Sequence, residues 1–299
     1  MTKCILILSN KSSGSSALQR LLAQAVSLKS IEKTRHFQNE SLYWTKAASV
    51  LNLPQQTMLD SEVPIAAAAA RQDLIRLLRD NVSDYKLIAG TATEDDREWV
   101  FDGWRQLCQQ YQPIFLEKSP HHLLQWSALQ LIVDCMTRLE GEVDFLLVGL
   151  VRNPMDTLHS AFRRWKTPPE KLQYEWLRAY THLQQLAEQL GPKVVIVRYE
   201  DLASSLDPLI PVFDFCGTSP GPAAECLNRQ SLMKWRQDAY FGFELAPEVR
   251  ALAQSYGYSD AALANSPRRL WPLYRDGMRQ LYLSLRWAKR LYLQINPPA

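Results

Sequence analysis

The sequence is poor in cysteine and glycine and carries almost no net charge. Its five cysteines (Cys4, Cys108, Cys135, Cys216, Cys226) are odd in number and contain no CxxC pair. This excludes a disulfide framework and a cysteine zinc site, and fits reduced thiols. Eleven glycines and seventeen prolines scattered over 299 residues exclude a collagen-like or low-complexity chain. Lys and Arg total 34 against 31 Asp and Glu, a balance of +3, so the positive coat of a nucleic-acid binder is missing. No apolar run is long enough to span a bilayer: Ile5–Leu8, Phe145–Val151 and Val194–Val197 are strand-sized. The N-terminal run turns polar after Leu8 with no small-residue cleavage site, so a first buried strand is expected there, not a signal peptide. The expected compartment is the cytoplasm. The motif GxxxxGK(S/T) is absent and no Walker-B aspartate is evident, which disfavours a kinase or NTPase.

What is present is a soluble globular composition, 46% hydrophobic and 22% charged. Lys3–Ser9, Asp144–Val151 and Lys193–Arg198 read as buried parallel strands, with a weaker fourth at Pro113–Glu117. Between them run helical patterns at Ala17–Ser27, Pro64–Asp80, Glu98–Tyr111, Leu123–Leu139, Asp156–Trp165 and Pro169–Leu190. Strands alternating with helices predict an α/β fold, a doubly wound parallel sheet with helices on both faces. Helical segments dominate after Leu206. The strongest break, Gly217–Pro222, is short enough for one loop, so residues 1–299 are expected to form a single domain.

Two segments carry chemistry. The first strand ends in Ser9-Asn10-Lys11-Ser12-Ser13-Gly14-Ser15-Ser16 and opens into a helix. Small residues let the backbone curl so that N–H groups converge on an anion at a helix N-terminus; an ordinary serine-capped helix start has the same composition. The strand Val148–Val151 delivers Arg152 at its C-terminal end, where open α/β sheets bind ligands, followed by Asn153-Pro154 and, two helical turns on, Ser160. Taken alone, this segment more commonly means a plain strand-end salt bridge by Arg152.

Together these segments resemble the sulfotransferases that use 3′-phosphoadenosine 5′-phosphosulfate (PAPS). Two more agree: Glu117-Lys118-Ser119-Pro120 is similar to the Glu-Lys-Thr/Ser turn of heparan-type and bacterial members, and Arg198-Tyr199-Glu200-Asp201-Leu202 to a segment after a later strand. The four occur in the family's order and span residues 5 to 202; from Leu206 the resemblance is thin. It implies a P-loop-like phosphate loop, a sulfuryl transfer from PAPS to a hydroxyl acceptor, release of PAP, and no metal. It assigns Lys11, Ser12, Ser13, Gly14, Ser15 and Ser16 to the 5′-phosphosulfate, and Arg152 and Ser160 to the 3′-phosphate. Lys11 and Lys118 become the cations beside the transferred group. In many relatives the loop's cation immediately precedes the residue corresponding to Ser13; here that place is Ser12, and Lys11 lies one residue earlier.

The family's acceptor base is usually a Glu or His after the first helix, which points to Glu40 and, behind it, His36. Four residues apart, the two share a face if their segment is helical; His121 and His122 are further candidates. A saccharide is the preferred acceptor, with lipid, polyketide and phenolic hydroxyls open. Trp44, Trp99 and Trp104 suit either an acceptor groove or the core, with the core favoured for each. Leu281–Ile295 reads as a packing helix with a basic outer face, ahead of a peripheral membrane contact. Two rivals remain: a PAP- or PAPS-binding protein without catalysis, and a P-loop small-molecule kinase.

Overall fold

The computed structural model describes residues 1–36, 38–83, 85, 96–220 and 225–295. In chain order its elements are β1 (Thr2–Ser9), α1 (Ser15–Ala25), β2 (Lys29–Ser30), α2 (Tyr43–Val50), α3 (Ala67–Asn81), α4 (Asp96–Gln110), β3 (Ile114–Lys118), α5 (Trp126–Arg138), β4 (Val143–Val151), α6 (Pro154–Trp165), α7 (Pro169–Leu190), β5 (Val194–Arg198), α8 (Tyr199–Leu202), α9 (Ile210–Cys216), α10 (Lys234–Gln237), α11 (Pro247–Ser255), α12 (Asp260–Leu263) and α13 (Trp271–Ile295). Contacts divide the chain into two compact units. The first comprises Met1–Arg152 and Arg178–Arg229, the second Asn153–Leu177 and Gln230–Ala299.

The first unit holds a five-stranded parallel sheet in the order β2-β3-β1-β4-β5. β1 is central, and Cys4 to Leu8 are wholly buried. That burial is why the strand reads as a continuous apolar run and not as an alternation. From β1 the chain crosses to β2 at one edge and returns through β3, while on the other side of β1 the strand β4 leads outward to β5. The order therefore reverses between β1 and β4, and the residues after these strands border the crevice where such sheets take ligands. The weak fourth strand of the sequence reading is β3, shifted by one residue. β2, only two residues long, carries too little pattern to be read from sequence.

Behind the sheet the core is aromatic. Trp44 and Trp104 have no exposure, and their rings lie 4.8 Å apart, with Tyr43 at 4.9 Å and Phe115 at 5.3 Å from Trp104. The Tyr43 hydroxyl donates to the Val100 carbonyl at 2.6 Å. Trp44 and Trp104 are thus core residues; Trp99 is half-buried, its indole N–H donating to Tyr85 at 3.1 Å.

Three local expectations change. Among the described residues of 31–42 there is no helix, so His36 and Glu40 share no helical face. Asn39 and Leu42 sit at φ 55° and 54°, left-handed values that stop a helix before α2 begins at Tyr43. The pattern over Leu123–Leu139 divides into a 3₁₀ turn at His122–Leu124 and α5, separated by an extended Gln125. α2 itself was not anticipated: nearly all of it is buried, so no polar face marks its period.

In the second unit, the Asn153 side chain caps α6 by accepting from Met155 N at 2.9 Å, and Asp156 accepts from Met233 N at 2.7 Å. Phe162 and Phe241 pack edge-on against Trp271 at 4.9 and 5.0 Å, pinning the start of α13. The rest of α13 departs from a packing helix: Leu281, Leu285 and Trp287 are 55%, 62% and 67% exposed.

These burial differences set a stability contrast. Trp104→Ala is expected to cost about 3–5 kcal/mol by cavity formation, and Trp287→Ala less than about 0.5 kcal/mol, both read from urea unfolding midpoints.

Candidate active site

The loop after β1 is shaped by two left-handed residues, Ser12 at φ 64° and Gly14 at φ 94°. Gly14 is required twice over. Its φ disfavours any side chain, and a Cβ there falls 2.4 and 2.6 Å from ring carbons of Tyr199. α1 starts at Ser15 with no side-chain cap; the Ala17 and Leu18 amides donate to the Gly14 carbonyl at 2.9 and 3.1 Å, which leaves the Ser15 and Ser16 amides as the donors an anion at this helix start would use. Ser13 is buried, with its hydroxyl 2.8 Å from the Tyr180 hydroxyl. Tyr180 donates its only proton to the Leu150 carbonyl at 3.0 Å, so Ser13 is the donor between them. The Ser13 side chain therefore ties the loop to α7 and is committed, whereas the sequence reading offered it as an anion donor.

Arg152 follows β4 and is 6% exposed. Its Nη1 donates to the Ser12 carbonyl at 3.1 Å, and its guanidinium lies 4.6 Å from the Tyr199 ring centroid. Tyr199 thus stands between Gly14 and Arg152 and fixes both. Arg198 and Asp201 of the same segment pair through two bonds of 2.7 Å. Ser160 lies on α6, in the second unit.

Lys11 turns toward the segment at Leu59, donating to its carbonyl at 3.0 Å. Lys118, with 1% exposure, donates to Glu40 Oε1 at 2.9 Å and to the Gln38 carbonyl at 3.2 Å. The other carboxylate oxygen, Glu40 Oε2, lies 3.5 Å from Nδ1 of both His36 and His121. Four of the residues singled out from sequence therefore converge: Glu40, Lys118, His36 and His121. Burial alone would raise the Glu40 pKa, but the His121 hydrogen bond and the nearby cationic charge, Lys118 first, outweigh it and hold it at about 2. Burial lowers the pKa of His121, against the pull of Glu40 and with the help of the Lys11 charge. Burial also lowers the pKa of His36. At neutral pH Glu40 is therefore a carboxylate and the two imidazoles are neutral.

Beneath it lies a second layer. Glu117 Oε1 accepts from Ser41 and Ser119 hydroxyls, each at 2.5 Å, and Oε2 is 3.6 Å from His122 Nε2. Ser119 Oγ also accepts from the Leu42 amide at 3.0 Å, and His122 Nδ1 meets Thr45 Oγ1 at 2.9 Å. His122 is thus held in a structural network and has no exposure.

This geometry is what a group-transfer enzyme with an anionic donor needs, and comparison with known proteins names the family. Residues 4–219 match the sulfotransferase family. The chain belongs to that family. Among solved structures, this sulfotransferase is similar to the sulfotransferase domain of the Synechococcus PCC 7002 olefin synthase, with 18% identity and a TM-score of 0.52 over 86% of this chain and 95% of that one. It is also similar to the sulfotransferase domain from the curacin biosynthetic pathway, with 17% identity and a TM-score of 0.54 over 87% and 99% of the two chains. These likenesses concern the fold. Among curated proteins none matches.

Two residues that shape this site had no role in the sequence reading. Tyr199 lies within the quoted Arg-Tyr-Glu-Asp-Leu segment, so only its task was missing. Tyr180 is one apolar-face position among many on α7, and nothing local marks its hydroxyl.

The cluster predicts an acid sensitivity. Glu40 titrates near 4.5 unfolded and at about 2 folded, so its contribution is complete above about pH 4.5 and is lost as pH falls toward 2. The size is on the order of 3 kcal/mol. Glu40→Gln should flatten this part of the stability profile in urea unfolding across that window. The depressed histidines act earlier: below about pH 6.5, the unfolded state takes up their protons first and stability begins to fall.

Proposed function

We propose that this sulfotransferase moves a sulfuryl group from PAPS to the hydroxyl of a polar acceptor. One observation carries the reading: the Gly14 loop and Arg152 meet at the Ser12 carbonyl, beside the reversal point of the sheet. In this reading the amides at the start of α1 and the loop residues Lys11, Ser12, Gly14, Ser15 and Ser16 hold the 5′-phosphosulfate, and Ser13 holds the loop itself. Arg152 takes the 3′-phosphate through its planar fork. Ser160 carries the same assignment from the family pattern alone. The single-domain architecture of residues 1–299 stays part of this proposal.

PAPS supplies a sulfuryl group on a good leaving phosphate. The acceptor oxygen attacks sulfur as the bond from sulfur to the phosphate oxygen breaks, and the acceptor proton passes to a base. Glu40 is a carboxylate at neutral pH and is available to take it. Lys118 keeps that carboxylate a weak base. If its ammonium swings toward the charge that develops on the transferred group, the Glu40 pKa rises as the proton arrives. Lys118 and Glu40 then work as one unit, with His121 and His36 orienting the carboxylate and Lys11 supplying further positive charge.

The cleft beside Glu40 supports a polar acceptor. Its volume is about 270 Å³, and its wall includes the charged side chains of Lys33, Arg35, Glu62, Asp73, Arg76 and Asp80 beside Leu42 and Leu77. Such a lining suits a polyhydroxylated molecule such as a saccharide better than a lipid or phenol. The turn of Lys11 toward Leu59 favours one second reading, a nucleotide-binding protein without transfer activity. Membership in the sulfotransferase family argues against the kinase.

Labelled PAPS incubated with a panel of hydroxyl acceptors should give labelled product and PAP; nucleotide binding without transfer to any acceptor would select the second reading. PAP should bind far more tightly than AMP in calorimetry, and Arg152→Ala should remove most of that difference. Equal affinity of the intact protein for the two nucleotides would end the PAPS assignment.

A second prediction concerns the base. Glu40→Gln should bind PAP normally and lose about 10²–10⁴-fold in turnover, with His36→Ala costing less. Lys118→Ala should lower turnover more than PAP affinity. Near-normal turnover in Glu40→Gln would pass the role to His121.

A further inference from the structure

The exposed part of α13 plays no part in sulfuryl transfer as proposed above. The helix is held at its beginning, where the Trp271 indole donates to Glu170 at 3.0 Å and Arg279 Nη1 donates to the Trp165 carbonyl at 3.2 Å. From 283 to 293 every residue is exposed. Single water-facing leucines are ordinary, but a helix presenting Leu281, Leu285, Trp287, Leu291 and Tyr292 together, each at least 41% exposed, is not.

The spacing sorts these residues. At about 100° per residue, Leu283, Trp287, Leu291, Leu281, Tyr292 and Leu285 follow one another around a single broad apolar face. Arg290 and Lys289 border that face on its two sides, and Arg286 lies behind it. From Gly277 to Ile295 the sequence contains no Asp or Glu. That charge decides what fits the helix. A second copy would bring the same cations with no acid to answer them. An uncharged groove would cover the leucines and leave the cations without partners. An anionic lipid surface answers both, the leucines entering the acyl boundary and the cations meeting headgroups, with Trp287 at the level favoured by indoles.

We propose that residues 281–293 lie flat on an anionic bilayer surface as a peripheral anchor. Among the described residues no helix is long and apolar enough to cross a membrane, so the contact is interfacial. It stands independently of the proposed donor and acceptor.

The test is co-sedimentation of the full chain with vesicles of phosphatidylcholine alone or mixed with phosphatidylglycerol. Binding to the anionic vesicles should exceed binding to neutral ones about tenfold or more and should weaken at high salt. The combined Arg286→Glu, Lys289→Glu, Arg290→Glu variant should lose at least about tenfold, and Leu285→Glu a similar amount. Because these side chains face water, circular dichroism of both variants should match the parent. Equal binding to the two vesicle types, or retention by the charge-reversed variant, would overturn the proposal. So would a dimer in light scattering that Leu285→Glu dissolves, because the apolar face would then belong to a second copy.

Discussion

Much of the first unit follows from the pairing of β1 with β4. Both strands are buried and parallel, and they run in register from Thr2 with Val143 to Ser9 with Leu150. A parallel pair sends both chains out at the same edge. The loop that curls at Gly14 and the arginine at 152, 138 residues apart in the chain, must then emerge side by side. Close packing on both faces does the work of alignment: a slip of one residue would exchange the side chains that β1 presents to its two buried sides. The hydrogen bond from Arg152 to the Ser12 carbonyl reports that alignment.

A second constraint is electrostatic. Glu40 and Lys118 are both nearly inaccessible, and a buried charge persists only where it is paired and hydrogen-bonded. The pair receives that support from the Gln38 carbonyl and from the imidazoles of His121 and His36. The Glu117 layer below fixes the turn that carries Lys118, through Ser119, and the segment that carries Glu40, through Ser41. Removing one member leaves the other charged and desolvated. The same pairing that keeps these charges buried therefore makes the cluster a point of acid weakness, and even a conservative change such as Glu40→Gln alters its balance of charge.

The legible parts of the sequence were those whose signal is local. The strands announced themselves as short apolar runs, and α7 by its periodicity. The loop was visible because small residues followed a strand, and Arg152 because it ended one. The illegible parts depended on distant partners. Left-handed turns at Asn39, held by Ile31 and Thr34, and at Leu42, whose amide donates to Ser119, overrode the helical spacing of His36 and Glu40. The 3₁₀ break at His122 interrupted an otherwise continuous helical pattern because that imidazole is drawn to Glu117 and Thr45. Ser13 looked like a free donor until Tyr180, 167 residues away, claimed its proton.

The sequence by itself determined the fold class, the order of the serine-rich loop and the strand-end arginine, and the family whose segments it repeats. Each of these is written in neighbouring residues, where apolar runs, small residues and fixed spacings act over one or two turns of chain. Only the tertiary structure decided that Glu40 pairs with Lys118, that Tyr199 occupies the space a Gly14 side chain would need, that Trp44 and Trp104 belong to the core, and that the leucines beyond Leu281 face water. Those outcomes depend on which surfaces are excluded from solvent once the sheet closes, and burial is a property of the folded whole that no short stretch of residues carries.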